Sequence, residues 1–179
     1  YTSGLDLSPD GALYGGTSEL RRFNPTNGST TLIGPFLTAG GSNVTMHNMT
    51  FHSNGTLYGF GLIDDGLYTI DLATARITQL GTITDTVVCV EFAPDGTLYG
   101  AFWDLFKLDP VTGSTLSNIG RMSNHIVDLD FAPDGTLFGL DDDYYGLFRI
   151  NPTNGANVML GEYGYGFSYP RTLSSYPVF

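Results

Sequence analysis

Ala93-Pro94-Asp95-Gly96-Thr97-Leu98-Tyr99-Gly100 decides the fold, because the chain repeats it with small changes four times. The other copies are Ser8-Pro9-Asp10-Gly11-Ala12-Leu13-Tyr14-Gly15, His52-Ser53-Asn54-Gly55-Thr56-Leu57-Tyr58-Gly59 and Ala132-Pro133-Asp134-Gly135-Thr136-Leu137-Phe138-Gly139. Gly11, Gly55, Gly96 and Gly135 stand 44, 41 and 39 residues apart. A period of that size marks a repeat architecture, in which each unit buries its apolar face only against its neighbours. Pro-Asp-Gly suits a tight hairpin: Pro presets φ at the first corner, Asp bonds its own backbone, and Gly takes a left-handed position without Cβ strain.

Two more elements follow each copy. The first runs Leu20 to Asn24, Leu67 to Asp71, Leu105 to Asp109 and Leu147 to Asn151; the second is Leu32-Ile33-Gly34, Gln79-Leu80-Gly81, Asn118-Ile119-Gly120 and Met159-Leu160-Gly161. Between them lie Pro25-Thr26-Asn27-Gly28, Pro110-Val111-Thr112-Gly113 and Pro152-Thr153-Asn154-Gly155. In the second unit Leu72-Ala73-Thr74-Ala75 lacks both breakers, so its hairpin is expected to be the least regular. With turns every 8 to 12 residues and no helical window, each unit reads as four short strands. The fold class is therefore all-β: a β-propeller of four four-stranded blades over residues 1–161, with repeats at about 3–34, 46–81, 87–120 and 126–161 and a tail at 162–179. Leu5 and Leu7, Met49 and Phe51, Val90 and Phe92, and Leu129 and Phe131 give the first strands their apolar side. Tyr14, Tyr58, Tyr99 and Phe138 read as filling between blades, and the glycines after them as sites of close approach by a neighbouring blade.

The motif resembles that of secreted bacterial β-propeller repeats, F-x-P-D-G-T-L-Y-G followed by L-Y-x-I-D-P-x-T-G and L-G, akin to the NHL and SMP-30-like propellers. The likeness covers about residues 3–161 and implies an extracellular or cell-surface setting. Such propellers include binding modules, scaffolds and some enzymes. The metal ligands of gluconolactonase-type members have no residue-by-residue counterparts here.

Composition narrows the partners. Seven Lys+Arg against 18 Asp+Glu give a formal charge of −11, a field that repels phosphate backbones and anionic lipid. Nucleic acid is not expected as a partner, nor is membrane insertion, since no run approaches the ~20 apolar residues of a spanning helix. The chain opens at Tyr1 without a signal-peptide pattern, as a processed chain or a fragment would. Cys89 is the single cysteine and makes no internal bridge.

Two segments depart from the period. Gly34 to Phe51 spans 17 residues where Gly81 to Phe92 and Gly120 to Phe131 span 11, which inserts a Gly40-Gly41-Ser42-Asn43 loop. The tail is apolar and Tyr-rich, and Arg171-Thr172-Leu173-Ser174-Ser175-Tyr176-Pro177 loosely echoes Ser3 to Pro9. It reads as the opening strand of a fifth unit, as a latch on its own ring, or as a strand that pairs with another molecule, with Arg171, Leu173, Tyr176, Pro177, Val178 and Phe179 as assembly residues.

Candidate chemistry is sparse. Asp6, Glu91 and Asp130, with Thr50 as fourth member, share a position on strands expected to line the axis. They are candidate ligands for Ca²⁺, which favours carboxylate oxygens, or else acceptors for a neighbouring blade's backbone. Asp64-Asp65 and Asp141-Asp142-Asp143 read as solvated acidic loops without calcium-loop spacing. His47, His52 and His125 are not spaced as a zinc set, and no serine elbow, phosphate loop or dinucleotide fingerprint occurs. Of four glycosylation sequons, at Asn27, Asn43, Asn48 and Asn54, the one in the inserted loop, Asn43, is the best placed. Trp103, Tyr144 and Tyr145 are candidates for gripping a sugar. The sequence thus points to a non-catalytic extracellular interaction module that assembles head to tail with copies of itself. A lectin-like propeller that binds a glycan is the alternative, and a metal-dependent lactonase-type hydrolase the third.

Overall fold

The structure is a computed structural model that describes residues 4–61, 63–141 and 143–162. The assembly residues Arg171 to Phe179 lie outside the described residues. Blade 1 consists of β1 (Gly4–Leu7), β2 (Leu13–Gly16), β3 (Glu19–Phe23) and β4 (Thr30–Pro35), and blade 2 of β5 (Asn48–Phe51), β6 (Leu57–Gly61), β7 (Gly66–Ile70) and β8 (Ile77–Thr82). Blade 3 follows with β9 (Cys89–Phe92), β10 (Leu98–Ala101), β11 (Asp104–Leu108) and β12 (Thr115–Arg121), and blade 4 with β13 (Asp128–Phe131), β14 (Leu137–Asp141), β15 (Gly146–Ile150) and β16 (Asn157–Glu162). Each blade is an antiparallel four-stranded meander with its strands in chain order, and the four are arranged as a β-propeller around the inner strands β1, β5, β9 and β13.

The turn chemistry repeats with the sequence. In every first hairpin the glycine N–H closes back on a carbonyl three residues earlier, Gly11 on Ser8 and Gly96 on Ala93 at 2.8 and 2.9 Å, with φ of 81° and 84°. Every blade also carries a register shift between its third and fourth strands, the local kink expected of a β-bulge.

One expectation fails here. The Leu72–Ala75 hairpin is as regular as the others: Ala75 donates to Asp71 O at 2.8 Å, as Gly28 does to Asn24 O, and Ala75 takes the left-handed position at φ 57°. Asp71 explains it. Its Oδ1 accepts from the N–H of Ala73, the N–H of Thr74 and the Thr74 hydroxyl, all at 2.9 Å, the side-chain turn bonding that Asn24, Asp109 and Asn151 also supply in their hairpins.

The blades are joined by three apolar clusters. Between blades 1 and 2 lie Leu20, Phe36, Met46, Tyr68 and Ile70; between 2 and 3 lie Leu67, Ile83, Val87, Phe106 and Leu108; between 3 and 4 lie Leu105, Met122, Ile126, Phe148 and Ile150. Two linker side chains enter each junction, one just after the fourth strand and one just before the next inner strand. The second-strand aromatics fill the junctions as expected: Tyr14 meets Phe51 at 5.7 Å, Tyr58 meets Phe92 at 4.9 Å and Tyr99 meets Phe131 at 5.2 Å. The glycines after them do something else. A Cβ at Gly59, Gly100 or Gly139 would strike Met46, Val87 or Ile126 from the linker and Ile70, Leu108 or Ile150 of the same blade. Backbone-to-backbone approach falls to the fourth-strand glycines instead: a Cβ at Gly34 would lie 3.1 Å from the Thr74 carbonyl, and at Gly81 and Gly120 it would run into the carbonyls of Thr112 and Asn154.

Candidate functional site: the axis, the loop face and the blade ends

Of the axial acids, Asp6 ties one blade to the next. Asp6 Oδ2 accepts the N–H of Phe51 in blade 2 at 2.6 Å, and Oδ1 accepts its neighbour Leu7 N–H at 2.6 Å. Thr50, one blade on, accepts the N–H of Phe92 at 3.3 Å. Asn48, which the sequence reading treated only as a sequon, is the other bridge: its Oδ1 accepts Val90 N–H at 2.9 Å and its Nδ2 donates to Asp128 at 3.1 Å. Burial lifts the Asp6 carboxyl to about 7; the two N–H bonds pull against that rise and the Asp130 charge adds to it. Glu91 is pushed well above the ordinary carboxylate range, first by burial and then by Asp6 and Asp130. Among the described residues no three His, Cys, Asp or Glu side chains come together as a metal cage, so Asp6, Glu91 and Asp130 are near enough to repel but are not gathered as ligands.

The loop face holds the residues expected as candidates for gripping a sugar. Trp103 is 36% exposed and Tyr144 exposed, on the second-to-third-strand loops of blades 3 and 4. His125, passed over in the sequence, joins them: its ring lies 5.2 Å from Trp103 and 5.1 Å from Phe102, and its Nδ1 pairs with Asp143 at 2.9 Å. A cavity of about 320 Å³ beside Trp103 is lined by Asp85, Asn118 and Arg121 among others. The indole face is already taken, however, because Arg121 sits over it at 4.9 Å while bonding Asp104 at 2.9 Å. Tyr145 has φ 53° in the same turn position as Asp65 at 51°, so its placement follows the loop's geometry.

The acidic loops are not simply solvated. Asp141 is buried at the end of β14 and accepts Tyr144 N–H at 2.7 Å, while Asp64 accepts Gly66 N–H at 3.2 Å and the Tyr68 hydroxyl at 2.6 Å. Cys89 is fully buried, with its thiol pushed up by burial, which suits packing and not a nucleophile. Asn43 is exposed in the inserted loop, whose Leu37 bridges to Asn43 and to Arg76. Asn48 is buried, and the side chains of Asn27 and Asn54 accept from Ser29 and Thr56 in their own turns.

The ends of the blade row are where periodicity breaks. Leu20, Leu67 and Leu105 are each 0% exposed against the next blade, but their blade 4 counterpart Leu147 is half-buried. Ile33, Leu80 and Ile119 pack into the three junctions; Leu160 at the same position is 51% exposed. Among the described residues a Cβ at Gly161 would meet nothing within 4 Å, unlike one at Gly34, Gly81 or Gly120. Blade 1 shows the opposite side of the same break. Phe23 and Leu13 are half-buried where Ile70, Leu108 and Ile150, and Leu57, Leu98 and Leu137, are buried. Gly28 is exposed with nothing near its Cβ position, whereas Ala75, Gly113 and Gly155 are buried.

No protein-family model matches the chain, and no curated protein matches it in sequence. Solved structures do match. The chain is similar to a putative gluconolactonase at TM-score 0.68 and 12% identity, covering 88% of this chain and 62% of that one. It is also similar to hydrazine synthase of Kuenenia stuttgartiensis at TM-score 0.62 and 17% identity, covering 89% and 49%. For virginiamycin B lyase from Staphylococcus aureus the values are 0.60 and 11%, covering 88% and 54%. The chain spans about half the length of these chains. At such identities the likeness defines a class, the β-propeller, and no activity.

Proposed function

We propose that this propeller acts by association and not by catalysis, as an extracellular or surface-displayed module that assembles head to tail with copies of itself. The observation that carries the reading is the trailing face of blade 4, where Leu147, Leu160 and Gly161 repeat a surface that is covered in every other blade. Apolar surface of this kind gains roughly 25 cal/mol per Å² when removed from water, and two unlike faces that meet between copies make a heterologous contact, which closes into a ring or propagates. The axial acids support the reading, because Asp6 is engaged in holding blade 2. The activities named for the gluconolactonase and the lyase belong to those proteins. Sedimentation velocity and electron microscopy of the purified chain test the proposal: a mass that grows with concentration supports it, and a monomer at every concentration overturns it.

A second reading, binding of a glycan, draws on the cavity beside Trp103 with its Asp85, Asn118 and Arg121. It requires a sugar to displace Arg121 from the indole. Binding on a glycan array that Trp103→Ala abolishes would install it in place of the first. Neither reading needs calcium, and chelation is expected to leave the melting temperature unchanged.

A further inference from the structure

We infer that the cavity beside Trp103 is a site for a primary ammonium on an alkyl stem, the group a lysine side chain of a partner carries, with Asp85 as its counter-charge. The site goes beyond the association reading and lies away from both ends of the blade row, where the linker from blade 2 meets blade 3.

The four units serve as controls for one another, and blade 3 departs from the rest at this place. Phe102-Trp103-Asp104 stands where blade 1 has Thr17-Ser18-Glu19, within the same backbone frame: Met122 donates to Trp103 O at 2.8 Å as Phe36 does to Ser18 O at 3.1 Å. Trp103 is the chain's single tryptophan. The fourth strand differs too. Gly113 and Gly120 are 7 residues apart, where Gly28 and Gly34, or Gly155 and Gly161, are 6 apart. The extra residue gives β12 a second register shift, opposite Lys107 and Leu108, that the other three blades lack. Between its two shifts stand Ser117 and Asn118, and Asn118 lines the cavity. Re-aiming a side chain toward a site is a common use of a bulge.

The lining defines the ligand. Buried Phe106 and half-buried Phe102 give an apolar wall for a stem, and a volume of about 320 Å³, at the small end of ligand pockets, suits one side chain. The two carboxylates are in unlike states. Asp104 is paired with Arg121 at 2.9 Å, and that guanidinium also covers the indole. Asp85 is half-buried and accepts the Thr115 hydroxyl, and among the described residues no cation pairs with it. Because Thr115 engages one of its oxygens, the two-pronged fork of a guanidinium is poorly served, whereas an ammonium asks only for single acceptors for its three N–H donors. Asp85, the Thr86 hydroxyl and the Asn118 amide oxygen are such acceptors on the wall. A sugar must displace Arg121 from the indole; an ammonium leaves it in place. The formal charge of −11 also draws cations to the chain.

The lone indole reports on this site by itself, so the test follows the Trp103 N–H signal by NMR at low salt. The probes are a lysine peptide blocked at both ends, its Nζ-acetylated form, spermidine and N-acetylglucosamine. A saturable shift with a millimolar dissociation constant is expected for the lysine peptide, and none for the acetylated one. Asp85→Asn should weaken binding by ~10-fold. Asp95→Asn, which changes the net charge equally on the first hairpin of the same blade, should leave it within about 2-fold. Asn118→Lys, at an exposed position, should supply an ammonium from within and abolish the shift, which keeps the test valid where Asp85→Asn disturbs the fold. Tighter binding of spermidine than of the peptide upholds the ammonium site and makes a free polyamine its source. No shift with any amine, an equal shift with the acetylated peptide, or equal losses from Asp85→Asn and Asp95→Asn overturns the site. A shift with N-acetylglucosamine and none with the amines gives the cavity to a glycan instead.

Discussion

The junction between blades 2 and 3 and the trailing face of blade 4 are one surface in two conditions, joined and bare. In the first, Leu67 is wholly buried, Leu80 packs into the cluster and Gly81 lies under the carbonyl of Thr112. In the second, Leu147 is half-buried, Leu160 is exposed, and a Cβ at Gly161 would meet none of the described residues within 4 Å. The residues are nearly the same, so the difference is a missing neighbour and not a change of chemistry. The same motif therefore serves folding inside the row and recognition at its end.

The largest contrast should come from glycine. Gly81→Val forces a side chain onto a backbone carbonyl and is expected to cost more than about 3 kcal/mol, or to prevent folding, while Gly161→Val changes monomer stability by less than about 0.5 kcal/mol. Denaturant titration of both variants at low protein concentration measures this; equal losses would mean that the blade 4 face is covered. Next come the leucines. Leu105→Ala should cost about 3 kcal/mol as a buried truncation and Leu147→Ala about 1 kcal/mol, and similar values for the two would erase the distinction between joined and bare faces.

A third contrast uses pH. Asp6 ties blade 1 to blade 2, and its folded carboxyl titrates at about 7 against an ordinary 3.8. The folded chain thus holds this proton more tightly than the unfolded chain, so the contribution is full below the unfolded value and is lost as pH rises through 7. Melting temperature should fall between pH 5 and pH 8, and Asp6→Asn should flatten that profile while lowering stability at pH 5, because its amide oxygen can accept only one of the two N–H bonds that Asp6 accepts. An unchanged slope in that variant would move the effect to Glu91 and its neighbours. The smallest effect belongs to Ala75→Gly, where relief of a left-handed alanine offsets loss of a buried methyl and the net change stays within about 0.5 kcal/mol. A larger loss would show that the Ala75 methyl, close to Gly34, carries the blade 1 to blade 2 contact.

Much of this was legible in the chain itself. The Pro-Asp-Gly copies and the returning Leu-Gly ends placed all sixteen strands in four units because each turn's φ requirement is written in its own residues. The Leu72–Ala75 hairpin was misjudged because the missing Pro and Gly weigh less than the Asp or Asn that opens each of these turns: Asp71 accepts the turn N–H groups as Asn24, Asp109 and Asn151 do. The axial acids were legible both as a ring and as acceptors for a neighbouring blade's backbone, and Asp6 is such an acceptor; that its partner is the N–H of Phe51, 45 residues on, follows only from the fold. His125 gave no motif at all; its role depends on Trp103 and Asp143, which belong to two different blades. Leu147 looked like any other third-strand leucine, and only the arrangement of blades shows it half-buried where Leu20, Leu67 and Leu105 are buried.

Amide hydrogen exchange reads the central comparison most directly, with β16 and the Leu147 amide followed beside β12 and Leu105 in dilute and in concentrated protein. Slow exchange in β12 at every concentration is expected, together with exchange in β16 that is fast when dilute and slows as concentration rises. Equal, concentration-independent protection of the two strands would contradict the account, because a face already covered has no partner left to take.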